Sequence, residues 1–293
     1  MKATINIVIV TYNNKDLLES CLKSVEESLD RSGLKGQITV VDNASSDGTP
    51  ELIGKRFPHV NHVKNKQNLG FAKALNVGIK KGIDSDYTLL LNDDVELFPQ
   101  TIASMVDTLN NYPVAKGSPA CLVYPDGRPQ PVKLKILGAA KKSFKGVQII
   151  NFSGTTACMY RTEIFNIVGF FDEFYFFYNE DLDFSLRAKR KGMKSVFDPD
   201  IKVIHHRKKG RVNAVNAIKP YFYATDYYFY RKNFGLLFSS VYLLMAFVHI
   251  LLWRRRFRKE NESEKFRLVQ EGIEKLRETR KNYKKLRNKS VVS

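Results

Sequence analysis

Short apolar runs alternate with stretches of helical period over the first hundred or so residues. Ile5-Asn6-Ile7-Val8-Ile9-Val10 is apolar at almost every position, as a strand covered on both faces must be. Leu17, Leu18, Cys21, Leu22 and Val25 then recur at helical spacing, which predicts a helix over about 15–28. Ile38-Thr39-Val40-Val41 reads as the second strand. Thr49-Pro50-Glu51 opens the next helix, with Thr49 as N-cap and Pro50 in the first turn. A short strand over 60–64, a helix over 72–81 and a buried strand from Tyr87 to Leu91 complete the series. Strands that alternate with helices predict a mostly parallel sheet with right-handed crossovers.

The strands end in polar residues. The first runs into Thr11-Tyr12-Asn13, the second into Asp42-Asn43-Ala44-Ser45-Ser46-Asp47-Gly48, and the strand at 87–91 into Asn92-Asp93-Asp94. In a parallel sheet these termini share one edge, where open α/β sheets bind ligands. Thr11, Tyr12, Asp42 and Asn43 offer hydrogen-bonding groups and a stacking surface for a base and ribose. Adjacent carboxylates can hold Mg²⁺ or Mn²⁺, which in turn can hold a diphosphate. Each motif alone also fits a plainer part: a solvated turn at Asp93-Asp94, or an Asx-rich loop that only caps a helix at 42–48. Asn68-Leu69-Gly70-Phe71 is an ordinary loop unless Gly70 permits close approach of a phosphate or ribose.

In the second half, 113–144 is rich in Pro, Gly and Lys and reads as irregular connection. A strand over 147–152 leads to Ser153-Gly154-Thr155. The aromatic run Phe174 to Tyr178 delivers Glu180, Asp181 and Asp183 at the start of a helix over about 182–191. Acids in a first turn complement the helix dipole whatever else they do. A strand from Ile201 then ends at His205-His206, followed by a basic loop containing Arg207 and Arg211.

The C-terminal part changes the picture of a plain globular domain. Phe234 to Trp253 has no charged residue and is about long enough to span a bilayer. Arg231-Lys232 precedes it and Arg254-Arg255-Arg256-Phe257-Arg258-Lys259 follows. The heavier basic flank is C-terminal, which disfavours export of the tail, so an interfacial or re-entrant helix with both ends cytoplasmic is expected. The alternative is a helix buried against the catalytic domain. Phe266, Val269, Ile273, Leu276 and Tyr283 form one stripe of a basic helix, fit to lie on anionic lipid or to pair with a second copy. The net charge of +18 and pI near 9.7 call for an acidic partner, and about half of that surplus lies beyond Trp253. Cys21, Cys121 and Cys158 lack metal-ligand spacing and fit reduced, buried thiols of a cytoplasmic protein. The apolar run in 1–10 is too short for a signal peptide and reads as the first strand.

Val10-Thr11-Tyr12-Asn13, Val40-Val41-Asp42-Asn43-Ala44-Ser45-Ser46-Asp47-Gly48-Thr49, Asn68-Leu69-Gly70-Phe71-Ala72 and Asn92-Asp93-Asp94-Val95-Glu96 together resemble the family 2 inverting glycosyltransferases, and most closely their rhamnosyltransferase-like branch of cell-surface polysaccharide synthesis. The resemblance runs in order from about Ile5 to Arg211. It implies an α/β, GT-A (Rossmann-like) fold with a mostly parallel sheet and flanking helices, here followed by a helical, membrane-associating extension. It implies a catalytic domain over 1–220, with a nucleotide-sugar half at 1–112 and an acceptor half at 113–220, and the extension over 221–293. Asp94 matches the family's metal-coordinating position, with Asp93 facing ribose and metal. Asp181 matches the base and Glu180 is its fallback or an acceptor-orienting group. His205, with His206 as alternate, matches a histidine that joins the metal or the diphosphate. Thr11, Tyr12, Asn13, Asp42, Asn43, Asn68, Gly70, Asp93, Gly154, Thr155, Arg207 and Arg211 make up the substrate-binding set.

The chemistry explains why two carboxylate sites are needed. Inverting transfer is a direct displacement at the anomeric carbon. The acceptor hydroxyl must lose a proton on one side while a diphosphate leaves on the other, its charge neutralised by Mg²⁺ or Mn²⁺. Expected partners are a dTDP- or UDP-sugar, a glycan or lipid-linked acceptor and an anionic membrane surface at the inner face of the cell membrane, with no nucleic acid. The competing readings are a non-catalytic basic module for nucleotide, nucleic acid or membrane, and a nucleotidyltransferase. Converging acids disfavour the first, and the second has no use for Glu180-Asp181.

Overall fold

The computed structural model describes residues 3–133, 140–141, 146–151, 154–207, 212–259 and 263–290. They form two compact units, one of Met1–Phe170 with Phe184–Arg207, the other of Phe171–Asp183 with Lys208–Ser293.

The first unit begins with β1 (Thr4–Thr11), α1 (Lys15–Ser32), β2 (Lys35–Asp42), α2 (Thr49–Arg56), β3 (Asn61–Lys64), α3 (Phe71–Lys81) and β4 (Tyr87–Asn92). Then come β5 (Val95–Leu97), α4 (Thr101–Asn111), β6 (Ala115–Pro119), β7 (Cys121–Val123), β8 (Val132–Lys133), β9 (Ala140–Lys141), β10 (Gln148–Ile150), β11 (Ala157–Arg161) and α5 (Glu163–Val168). The helix α6 (Glu180–Arg190) crosses from the second unit into the first, and β12 (Lys194–Phe197) and β13 (Lys202–His205) follow.

Among the described residues the main sheet runs β10-β12-β6-β11-β4-β1-β2-β3. Its first half, β3-β2-β1-β4, is parallel throughout, as the strand–helix alternation predicts. On the other side β11 is antiparallel to β4 and β6, while β6 and β12 run parallel. Strands β1 and β4 lie at the middle and are buried on both faces. Leu18, Leu22 and Val25 of α1 and Ile102, Met105 and Leu109 of α4 join Ile5, Ile7, Ile9, Leu89 and Leu91 in one core. The other face carries α3. Its Gly78 sits so close to β1 that a Cβ there would stand 2.3 Å from Val8 Cγ1. Val8 is fully buried and has nowhere to move, so Gly78→Ala is expected to cost about 1–3 kcal/mol. A lowered urea midpoint at unchanged m-value would report it.

Two local expectations need correction. Residues 113–144 are not simply irregular, because their described part carries β6, β7 and the two-residue pair β8–β9. Ala115-Lys116-Gly117-Ser118-Pro119 has no strand-like pattern of its own and is drawn into the sheet by its neighbours β11 and β12. Thr49 is not the N-cap of α2, since Gly48 holds that place in a left-handed conformation. The capping oxygen is Asp47 Oδ1, which accepts from Thr49 N at 3.1 Å and Thr49 Oγ1 at 2.6 Å. Burial pushes the Asp47 carboxyl up, but the bonds from Thr49 and Lys15 outweigh it and hold it below the usual carboxylate range. The thiols of Cys21 and Cys158 are buried, whereas Cys121 is only partly so.

The second unit is built on α7 (Val212–Lys259), broken at Gly235 (φ 84°), and α8 (Ser263–Ser290), which packs back along it. Val269 and Ile273 meet Tyr223, Ile250 and Trp253, and Tyr283 packs on Tyr228 with ring centroids 5.8 Å apart. The apolar stripe of α8 is therefore spent on α7 rather than offered to lipid or a second copy; the side chain of Phe266 lies outside the described residues. The face left open is on α7. Leu236, Leu237, Phe238, Val241, Leu244, Met245 and Phe247 are all more than half exposed. Only 17% of the most apolar window of Phe222–Trp253 is buried.

Candidate active site

The parallel register puts three strand termini side by side. Thr11 pairs with Asp42 across β1–β2, and Val10 with Asn92 across β1–β4. Asn43 N donates to Thr11 O at 2.9 Å, continuing the ladder past the strand ends. Thr11 Oγ1 donates to Asp93 Oδ2 at 2.8 Å, so the first strand end fixes the rotamer of the first carboxylate. Asp42 is fully buried. Its Oδ1 accepts from Ser45 N at 2.8 Å, while Oδ2 has no hydrogen-bond partner among the described residues and stands 3.6 Å from His62 Nε2. A buried acceptor left unmade is costly, and a ligand N–H would relieve it.

Several expected contact residues are partly committed to the scaffold. Asn13, at φ 50°, accepts from Ser46 N at 2.8 Å through Oδ1 and takes Ser45 Oγ on its backbone N–H. Asn43 Nδ2 donates to Gly70 O, and Asn68 Oδ1 accepts from Gly70 N at 2.9 Å. Together they pin a backbone turn at Gly70 (φ 83°), a conformation that glycine adopts without cost. Tyr12 is half exposed and offers its ring at the rim. Gly154 and Thr155 reach the same edge because β11 runs antiparallel to β4, and Asn92 N donates to Thr156 O at 2.9 Å.

Asp94 is met from another direction. The chain turns at Asp93-Asp94 into β5, and β13 pairs antiparallel with it, His205 opposite Val95. His206 N donates to Asp94 O at 3.0 Å, and His205 Nε2 lies 3.5 Å from Asp94 Oδ1. Gln130 defines the imidazole. Its Nε2 donates to His205 O at 2.7 Å and Val123 O at 3.2 Å, so its Oε1 is the atom 3.0 Å from His205 Nδ1. An acceptor there requires Nδ1–H, which leaves the neutral ring with its Nε2 lone pair toward the carboxylate. Two acceptors facing each other across 3.5 Å suit a cation. One carboxylate and one imidazole would leave the remaining positions to diphosphate oxygens and water, as such ions prefer. His206 is turned elsewhere, with Nε2 2.9 Å from Glu96 Oε1. Arg207 is exposed and Arg211 lies outside the described residues. Beneath the carboxylates, burial and then Asp93 and Asp94 push the Cys21 thiol well up, so it is an inert filler.

Glu180 and Asp181 belong to the second unit. They open α6 two residues earlier than the sequence suggests. Asp181 Oδ1 accepts from Leu182 N at 2.7 Å, and Glu180 is buried. Further along the helix, Arg187 donates to Val168 O and Phe170 O, both at 2.8 Å. Asp183 is fully buried and ion-paired with Lys232. Sequence reasoning missed Gln130, His62 and Lys232. Gln130 stands between two prolines in a stretch without periodicity, and Lys232 looked like a plain basic flank, so neither carried a signal.

The family described as Glycosyl transferase family 2 matches residues 6–168, more than half of the chain. An N-acetylglucosaminyl-diphospho-decaprenol L-rhamnosyltransferase of Mycobacterium tuberculosis (strain H37Rv) is 27% identical over 241 residues, 71% of this chain and 77% of its own. The low-salt glycan biosynthesis hexosyltransferase Agl10 of Haloferax volcanii is 22% identical over 203 residues, 64% of this chain and 62% of its own. Among solved structures, the mannosyltransferase PcManGT from Pyrobaculum calidifontis, in complex with GDP-Man and Mn²⁺, aligns with a TM-score of 0.59 at 17% identity, over 94% of this chain and 87% of that one. S. aureus TarS 1-349 aligns at 0.55 and 15%, over 97% and 92%.

Proposed function

This chain belongs to glycosyl transferase family 2 and is a glycosyltransferase with a GT-A fold, and from that premise we propose that it transfers a sugar, with inversion, from a dTDP- or UDP-sugar to a lipid-linked glycan acceptor. The observation that carries the reading is the meeting of Asp42, Thr11, Asp93 and Asp94 at one sheet edge, with His205 held against Asp94. The open buried oxygen of Asp42 suits a donor such as the imide N–H of uracil or thymine. Thr11-bound Asp93 is poised for the ribose. Asp94 and His205 would hold Mg²⁺ or Mn²⁺, which when bound neutralises charge on the leaving diphosphate. Asp181 takes the proton of the acceptor hydroxyl, and Glu180 orients the acceptor. Arg207 screens the departing nucleotide. Rhamnose on a lipid-linked N-acetylglucosamine is the donor–acceptor pair that the mycobacterial relative's name suggests.

Calorimetry with dTDP and UDP, with and without Mn²⁺, tests the site. Metal-dependent nucleotide binding is expected, and metal-independent binding would favour the non-catalytic module. In the same titration Gln130→Leu is expected to weaken metal-dependent affinity by roughly 10–100-fold, because His205 loses the acceptor that selects its tautomer.

The enzyme works at the inner face of the cell membrane, peripherally bound. The exposed apolar face of α7 and the basic residues beside it support this placement. Full-length protein is expected to sediment with anionic vesicles and a variant ending at Lys232 to remain in the supernatant. Equal behaviour of the two would remove α7 from the account.

A further inference from the structure

The Glu180-Asp181 motif is reached through a costly backbone. Tyr178 and Asn179 stand one after the other in the left-handed region, at φ 69° and 72°. Consecutive non-glycine residues there persist only when their surroundings hold them. Several contacts that hold it, within the same unit, come from one short stretch of α7. Asn179 Nδ2 donates to Asp226 Oδ1 at 2.7 Å. On either side of the motif, Asp172 and Asp183 are buried carboxylates, and both meet Lys232 Nζ, at 2.7 Å and 2.9 Å. Tyr228 Oη donates to Asp172 Oδ2 at 3.0 Å, and Asn233 Nδ2 to Asp183 Oδ1 at 3.0 Å. A lysine shared by two buried carboxylates does more than close a surface pair. Its removal leaves two like charges in low dielectric, and the segment between them must rearrange.

We propose that Lys232 is a positioning residue for sugar transfer: with Asn179 and Asp226 it fixes the 171–183 segment to α7 and thereby sets the conformation from which Asp181 acts as base. This rests on the assignment of Asp181 above. Lys232 does not touch the reacting atoms. The two ends of the segment are clamped by one ammonium, and its strained middle by one amide. The same helix continues, past the break at Gly235, into the exposed apolar stretch.

The test uses full-length protein and compares Lys232→Met, Lys232→Arg and Asn179→Gly with wild type. Asn179→Gly keeps the left-handed backbone accessible and removes the side-chain bond to Asp226. Misplacement of a reacting group by about 1 Å can cost about 10²-fold. Lys232→Met and Asn179→Gly are therefore each expected to lower kcat by about that factor, with dTDP and Mn²⁺ affinity and donor KM unchanged. Lys232→Arg should recover most of the loss. If Lys232→Met does not fold, Asn179→Gly decides alone. A kcat within threefold of wild type in Asn179→Gly, or a loss carried by donor KM, overturns the proposal. Its failure is distinguishable from that of the base assignment: Asp181→Asn then remains inactive while these variants turn over normally.

Discussion

Asp181→Asn is expected to leave donor and metal affinity near wild type while transfer falls by about 10²–10⁴-fold, the usual contribution of a general base. The substitution keeps size and shape, and an amide oxygen can still accept the bond from Leu182 N that Asp181 now accepts. What it removes is the capacity to take a proton. The residues proposed to bind the nucleotide belong to the other compact unit. Steady-state kinetics beside calorimetry separates the two effects. Should Asp181→Asn retain transfer while Glu180→Gln loses it, the roles in the motif are exchanged; if both turn over normally, the inverting mechanism built on this motif falls.

Asp94→Ala has the second large expected effect, and in the opposite pattern. It is expected to abolish the Mn²⁺-dependent part of nucleotide-diphosphate binding and to lower kcat by at least about 10²–10³-fold, as removal of a preorganised electrostatic group does. The reason is local: the carboxylate is buried, sits at the end of β4 and faces His205 Nε2 at 3.5 Å. Thermal unfolding close to wild type would show that the fold survives. Metal-dependent affinity that persists in the variant would place the cation elsewhere.

The parallel half of the sheet was legible because doubly buried strands leave near-continuous apolar runs, as in β1 and β4, and because helix periods separate them. The strand-end motifs were legible for the same reason, since parallel pairing sends Thr11, Asp42 and Asn92 to one edge whatever the loops do. The antiparallel half was not. Strand β6 is short and holds Pro, Gly and Ser, β7 is only three residues long, and their pairing is dictated by β11, β12 and β13 rather than by their own pattern. The partnership of Asp94 with His205 spans more than a hundred residues and follows from the β5–β13 register, which neither segment announces. Gln130 was invisible for the same cause. The α8 stripe misled in a different way: periodicity identified the buried face correctly but not its partner, which is α7 of the same chain.

The most direct measurement is the mass of the acceptor after reaction. Full-length protein is incubated with a panel of dTDP- and UDP-sugars, a polyprenyl-diphosphate-linked N-acetylglucosamine and Mn²⁺, in anionic vesicles. The account predicts an acceptor heavier by one sugar residue with one class of donor, dTDP-rhamnose foremost, and no such product when EDTA replaces the metal. An acceptor unchanged by every donor in the presence of Mn²⁺, or extended equally well in EDTA, would contradict it.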